Sequence, residues 1–309
     1  MIKNRNFFST AVFSISLLFL TMCSDKNNSP VVDNNRIILP DTVNTVIAIG
    51  DIHGDINALK SILIDSHAIS KNLHWIGTNM IVVQTGDILD RGDNELQIIE
   101  LLFRLKKEAP MKKSQLILIN GNHEIMNFAG DFRYVSQNSR KNWKNSKLLS
   151  TDRESSFKRG EYLALEFSKF PVVTKVGSLL FTHGGLTIKQ AEYGIEKINS
   201  DISKWLTDNN TSLPAILRKK NSPFWNRTYG KNPDSRDCRN LQKILELTKS
   251  GTLIIGHSIQ KNGINSKCNG LVWRIDVGMS KYYGSRNLEY LEITRSGITK
   301  KSSGIQNNQ

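Results

Sequence analysis

The stretch Thr45-Val-Ile-Ala-Ile-Gly-Asp-Ile-His-Gly-Asp55 carries a short apolar, β-branched run straight into glycines, two carboxylates and an imidazole. Such a run, cut off by turn residues, reads as a buried strand. Side chains alternate along a strand, so Asp51 and His53 leave its end on one side, where they can chelate a single metal ion. The glycines let the backbone turn tightly behind them. Asp55 then precedes Ile56, Ala58, Leu59, Ile62 and Leu63, spaced three and four apart as on one face of a helix, and is placed to cap it.

The same unit recurs along the chain. Met80–Val83 leads into Gly86-Asp87-Ile88-Leu89-Asp90-Arg91-Gly92, and Gln115–Ile119 into Asn120-Gly121-Asn122-His123-Glu124. Leu179–Phe181 leads into Thr182-His183-Gly184-Gly185, and Thr252–Ile255 into Gly256-His257-Ser258. Open α/β sheets bind ligands at the carboxyl ends of their strands, so five strand ends converge on one site. Between them Leu96, Ile98, Ile99, Leu101, Leu102 and Leu105 repeat with helical spacing, an arrangement that turns Glu95 and Glu100 outward. Strands alternating with helices imply a layered α/β fold. Further strands over Leu271–Val277 and Leu288–Thr294 suggest a second sheet facing the first, hence a four-layer α/β/β/α sandwich over residues 41–296. Residues 128–170, polar and carrying Phe132, Tyr134 and Trp143, interrupt the rhythm as a helical insertion over one edge of the site. Residues 297–309 read as a loose tail.

The N-terminus has a different character. Lys3 and Arg5 precede an apolar run from Phe7 to Leu20, too short for a confident membrane span and typical of an export signal. It ends in Leu20-Thr21-Met22-Cys23, which resembles the lipobox of bacterial lipoproteins, with Met22 where a small residue is usual. Residues 1–23 are therefore expected to direct export, with Cys23 as lipidation site and residues 24–40 as tether. An ordinary secretory signal or an uncleaved anchor is the alternative. The expected location is the bacterial cell envelope, anchored to a membrane. An oxidising compartment permits a disulfide between the other two cysteines, Cys238 and Cys268, with two buried free thiols as the alternative. The net charge of +14 lacks the basic blocks and interleaved aromatics of a nucleic-acid groove, so no nucleic-acid partner is expected.

Taken in order, the motifs GDxHG, GDxxDRG, GNHE, HGG and GH resemble those of the calcineurin-like metallophosphoesterases, in their phosphoprotein-phosphatase branch. Ser222–Arg227 and Trp273–Gly278 resemble segments of the bacterial Shewanella-like phosphatases. The resemblance implies that Asp51 and His53 bind a first metal, that Asp87 bridges, and that Asn122, His183 and His257 bind a second. The donors suit Mn, Fe or Zn, and the resemblance favours Mn. It further implies His123 as general acid oriented by Asp90, with Arg91, Asn122 and Arg227 on the substrate phosphate, and attack in line by a metal-bridging hydroxide. Glu124 is expected to orient the site from behind, and His67 and His74 lie outside every motif. The expected substrate is a phosphorylated protein or small molecule. A dinucleoside tetraphosphatase or other phosphodiesterase is the second enzyme reading; a lipid-anchored anion-binding protein with a vestigial metal site is the non-enzyme one.

Overall fold

The computed structural model describes residues 37–143, 152–284 and 287–304. The expected signal, Cys23 and most of the tether lie outside the described residues, and no described helix is long and apolar enough to cross a membrane.

Two five-stranded sheets form the core. In the first, β1 (Thr45–Ile49) is central, with β2 (Met80–Gln84) and then β3 (Gln115–Leu118) parallel on one side. The helices α1 (Ile56–Asp65) and α2 (Glu95–Glu108) connect them, with α3 (Asn122–Phe128) leaving β3. Three short helices occupy the insertion: α4 (Gln137–Trp143), α5 (Arg153–Ser156) and α6 (Tyr162–Phe167).

The second sheet runs in the order β4 (Val173–Val176), β5 (Leu179–Thr182), β6 (Thr252–Ile255), β8 (Val272–Arg274), β7 (Asn265–Lys267). Helices α7 (Ile188–Tyr193), α8 (Ile195–Thr207), α9 (Ala215–Arg218) and α10 (Ser235–Leu247) lie between β5 and β6. The chain then returns to the first sheet with β9 (Glu289–Thr294), antiparallel to β1, and β10 (Gly297–Ser302). The expected mixed α/β sandwich is thus present, and the continuous apolar runs have the expected cause: every residue of β2, β5 and β6 is buried, as strands covered on both faces require.

Three expectations change. Leu288–Thr294 does not join the second sheet with Leu271–Val277 but pairs with β1 in the first. Residues 297–302 are no loose tail: they pair in register with β9 from Gly297↔Thr294 to Ser302↔Glu289. Their polar sequence gave no apolar signal because none of the six is buried; pairing with β9 is what makes them a strand. Glu95 is not outward either. It is fully buried at the start of α2, for reasons given below. Asp55 caps α1 as expected, accepting from the Asn57 and Ala58 amides. Cys238 and Cys268 form a disulfide, with Cα atoms 5.3 Å apart, tying α10 to the turn before β8.

Candidate metal centre

The loops after the strands are knitted to one another before any side chain is considered. The Ile52 and His53 amides both donate to Asp87 O at 3.0 and 2.9 Å, and Gly54 N donates to Ile88 O, extending the β1–β2 pairing beyond the strands. Across the second sheet Gly256 N donates to His183 O at 2.9 Å. Glu124, buried on α3, receives the Asp87, Ile88, Leu89 and Gly121 amides, which confirms it as the support of the Asp87 loop. His53, Asp87, Asp90, Arg91 and His257 all sit at positive φ, a costly conformation for residues with a Cβ. Two glycines admit the carboxylates: a Cβ on Gly256 would stand 2.2 Å from Asp51 Oδ1, and one on Gly121 would stand 2.3 Å from Asp87 Oδ1.

All six expected ligands are buried and converge. Asp87 belongs to two groups of donors, one with His53 and His123 and one with His183 and His257, each with ligand atoms within 4.8 Å of one another. Asp51 Oδ2 lies 3.9 Å from His53 Nε2, and His183 Nε2 lies 2.9 Å from Asn122 Oδ1. His53 donates from Nδ1 to Leu89 O at 3.0 Å and His183 from Nδ1 to Thr85 O at 2.9 Å. A backbone acceptor on Nδ1 fixes the tautomer and leaves Nε2 as a lone-pair donor toward the cluster, the usual support for a metal-ligating histidine.

Electrostatics point the same way. Burial and the neighbouring Asp276 and Asp87 carboxylates push Asp51 well above the usual carboxylate range. Burial lifts Asp276 to about 6. Burial alone would lower His183, yet the Asp87 and Asp51 carboxylates raise it to about 10. His257 is driven down by burial and by the His183 charge, and its Nε2 is buried with no hydrogen-bond partner. Buried carboxylates that repel one another beside an orphaned imidazole nitrogen form a site that the polypeptide alone does not satisfy. Bound cations would satisfy it, and the oxygen and imidazole donors fit borderline metals.

Beside this cluster His123 Nδ1 meets Asp90 Oδ2 at 2.6 Å. Burial disfavours the imidazolium there, but the Asp87 charge and the Asp90 hydrogen bond and charge outweigh it and raise His123 above its usual value. Arg91 and Arg227 line the same cleft, of about 280 Å3. The Arg91 guanidinium lies 3.8 Å from the Tyr134 ring centroid and donates to Tyr282 Oη at 3.3 Å. Arg227 donates to His257 O at 2.6 Å. Tyr134, Tyr283, Trp225 and Ile259 complete an aromatic and apolar rim. Arg133 instead pairs with Asp131 at the surface, and His74 pairs with Glu108 far from any motif.

Three residues escaped the sequence reading. Asp276, in the Trp273–Gly278 segment, lines the cleft and is 2% exposed. Arg153 and Glu95 form a buried ion pair behind Asp90. No motif marks Arg153, and Glu95 falls on a helix whose apolar spacing assigns it to solvent.

The model of the calcineurin-like phosphoesterases matches residues 45–260. Shewanella-like protein phosphatase 2 of Arabidopsis thaliana is 32% identical, over 93% of this chain and 83% of its own. Shewanella-like protein phosphatase 1 of Plasmodium berghei is 35% identical, over 80% of this chain and 71% of its own. A solved cold-active protein tyrosine phosphatase shares the fold with a TM-score of 0.72 at 23% identity, covering 86% of this chain and 81% of that one. With ligand-bearing loops on successive strands and relatives of this kind, the chain belongs to the calcineurin-like metallophosphoesterases, as a metal-dependent phosphoric ester hydrolase akin to the Shewanella-like protein phosphatases.

Proposed function

We propose that this protein hydrolyses phosphate monoesters on phosphorylated proteins, using two metal ions, with Mn favoured. Asp51, His53 and Asp87 would hold one ion, and Asp87, Asn122, His183 and His257 the other. When bound, the pair activates water for attack in line on phosphorus and neutralises charge on the phosphoryl oxygens. The chain's own part is to place and protonate. Arg91 offers paired N–H groups to the phosphate and is already oriented by Tyr134 and Tyr282, so little freedom is lost on binding. Arg227 and the Asn122 amide, which line the same cleft, are the further donors for those oxygens. His123 delivers its proton to the departing oxygen, and Asp90 holds the ring for that transfer.

The observation that carries this reading is the 2.6 Å Asp90–His123 pair standing in one cleft with two donor groups that share Asp87. A vestigial site has no need of a buried proton donor. The names of the two Shewanella-like relatives, both protein phosphatases, support a phosphoprotein substrate, and the aromatic rim gives a peptide side chain something to pack against. The basic, apolar N-terminal segment and the disulfide support an exported chain, anchored to the cell envelope through Cys23.

The test is a panel of Mn, Fe and Zn against phosphoserine, phosphothreonine and phosphotyrosine peptides, beside diadenosine tetraphosphate. Turnover of phosphopeptides well above the dinucleotide is expected. Turnover of the dinucleotide alone overturns the monoesterase reading, and inactivity with every metal overturns the enzyme.

A further inference from the structure

We propose that Arg153, from the insertion, is a positioning residue for the acid pair: it clamps Asp90 so that one carboxylate oxygen stays on His123. The inference rests on the monoesterase reading above.

Arg153 is 1% exposed, and each of its nitrogens has an acceptor. Nε and Nη2 fork onto the two Glu95 oxygens at 2.9 and 2.7 Å, Nη1 donates to Asn127 Oδ1 at 2.7 Å, and Nη2 also reaches Asp90 Oδ1 at 3.4 Å. The partners converge on the same target. Asn127 Nδ2 donates to Asp90 Oδ1 at 3.1 Å and to His123 O at 2.8 Å, and Glu95 Oε1 accepts the Asp90 amide at 2.6 Å. Asp90 Oδ1 is thereby occupied from behind, and Oδ2 alone faces His123. The Asp90 backbone, at φ 65°, is held by Glu95, and Glu95 by Arg153.

Charge requires the same residue. Asp90 and Glu95 are both fully buried carboxylates, and among the described residues Arg153 is the one Lys or Arg within ion-pair distance of either. A planar fork with donors on three nitrogens serves acceptors on three residues at once; a lysine ammonium cannot match that plane. The guanidinium is itself fixed, 4.7 Å from the Phe157 ring centroid and 5.3 Å from that of Trp143. A purely structural role, pinning α5 to α2, needs only the Glu95 fork. The bonds to Asn127 and Asp90 exceed that need.

The test uses the full chain as Arg153→Met and Arg153→Lys, with two readouts. Mn-loaded protein is assayed with 2,4-dinitrophenyl phosphate, whose leaving group needs no proton, and with a phosphoserine peptide, whose alkoxide does. In Arg153→Met, kcat on the peptide is expected to fall on the order of 10- to 100-fold and on the aryl ester by less than about threefold, with Arg153→Lys between. The second readout is independent of turnover: the low-field proton resonance of His123 Nδ1–H in metal-free protein, assigned by its absence in Asp90→Asn, is expected to broaden or vanish in both Arg153 variants. Equal losses on both esters, with that resonance unmoved, overturn the proposal. If the wild type hydrolyses neither ester, the monoesterase reading falls, and the resonance still decides whether Arg153 holds the pair. Should Arg153→Met fail to fold, Arg153→Lys carries both readouts.

Discussion

The metal cluster and the acid pair share a cleft, yet they are assembled by opposite means. The metal donors follow on strands of both sheets, and three of them are held by backbone groups: Leu89 O on His53, Thr85 O on His183, the His257 amide on Asp51. The acid pair is held by side chains, Arg153, Glu95 and Asn127, and one of these comes from a segment that belongs to neither sheet. Backbone support tolerates change in the sequence around it; side-chain support fails when one member is replaced. The first arrangement therefore supplies the chemistry common to every substrate, and the second supplies a proton that only some leaving groups need.

The comparison can be broken by mutation. The largest loss is expected for Asp87→Asn, which touches both donor groups: activity should drop by more than about 1,000-fold on every substrate and with every metal. A variant that keeps activity on good leaving groups would place Asp87 with the acid pair instead. His123→Asn should cost on the order of 100- to 10,000-fold with phosphoserine peptides and far less with dinitrophenyl phosphate, read as the steepening of rate against leaving-group pKa. A uniform loss would return His123 to the metal cluster, where its place beside His53 and Asp87 makes it a candidate ligand.

Trp143→Ala probes the support rather than the chemistry. Trp143 is fully buried in α4 and donates to Ser156 Oγ at 3.0 Å, so its loss should destabilise the fold by about 3–5 kcal/mol in urea unfolding. The weakened insertion should show itself first in the proton-requiring substrates. A wild-type midpoint would show that the insertion does not fold with the rest. Arg104→Ala removes a partly exposed i,i+4 ion pair with Glu108, away from both regions, and should change stability by no more than about 0.5 kcal/mol. A larger effect would mean that Glu108, which also accepts the Trp75 amide at 2.8 Å, transmits more than a surface contact.

The same contrast explains what could be read in advance. A strand buried on both faces must be continuously apolar, and a loop that turns sharply at its end must carry glycine. Thr45–Asp55 and its four counterparts therefore announce strand, turn and ligand together, and all six expected ligands, with His123, Asp90, Arg91 and Arg227, meet in one place. Arg153 announces nothing, since it stands among the scattered Arg, Lys and Ser of a polar insertion. Its role exists only through a fold that brings it to a residue 63 positions away. Glu95 is harder still, for helical periodicity gives it to solvent, and only the insertion packed against α2 makes its position interior. Asp276 sits inside a strand-like segment whose apolar neighbours hide it.

The last strand has a bearing on how copies of this protein behave together. Because β10 finishes the first sheet among the described residues, its outer hydrogen-bonding rim there belongs to a polar strand carrying Lys300 and Lys301, each paired with a β9 carboxylate at 3.5 and 3.2 Å. Without it the exposed rim would be β9, Glu289-Tyr-Leu-Glu-Ile-Thr294, most of whose residues are buried and apolar enough to template a neighbouring chain. Lysines on an edge strand disfavour such pairing, so Lys300 and Lys301 make β10 a poorer template for a second copy than β9.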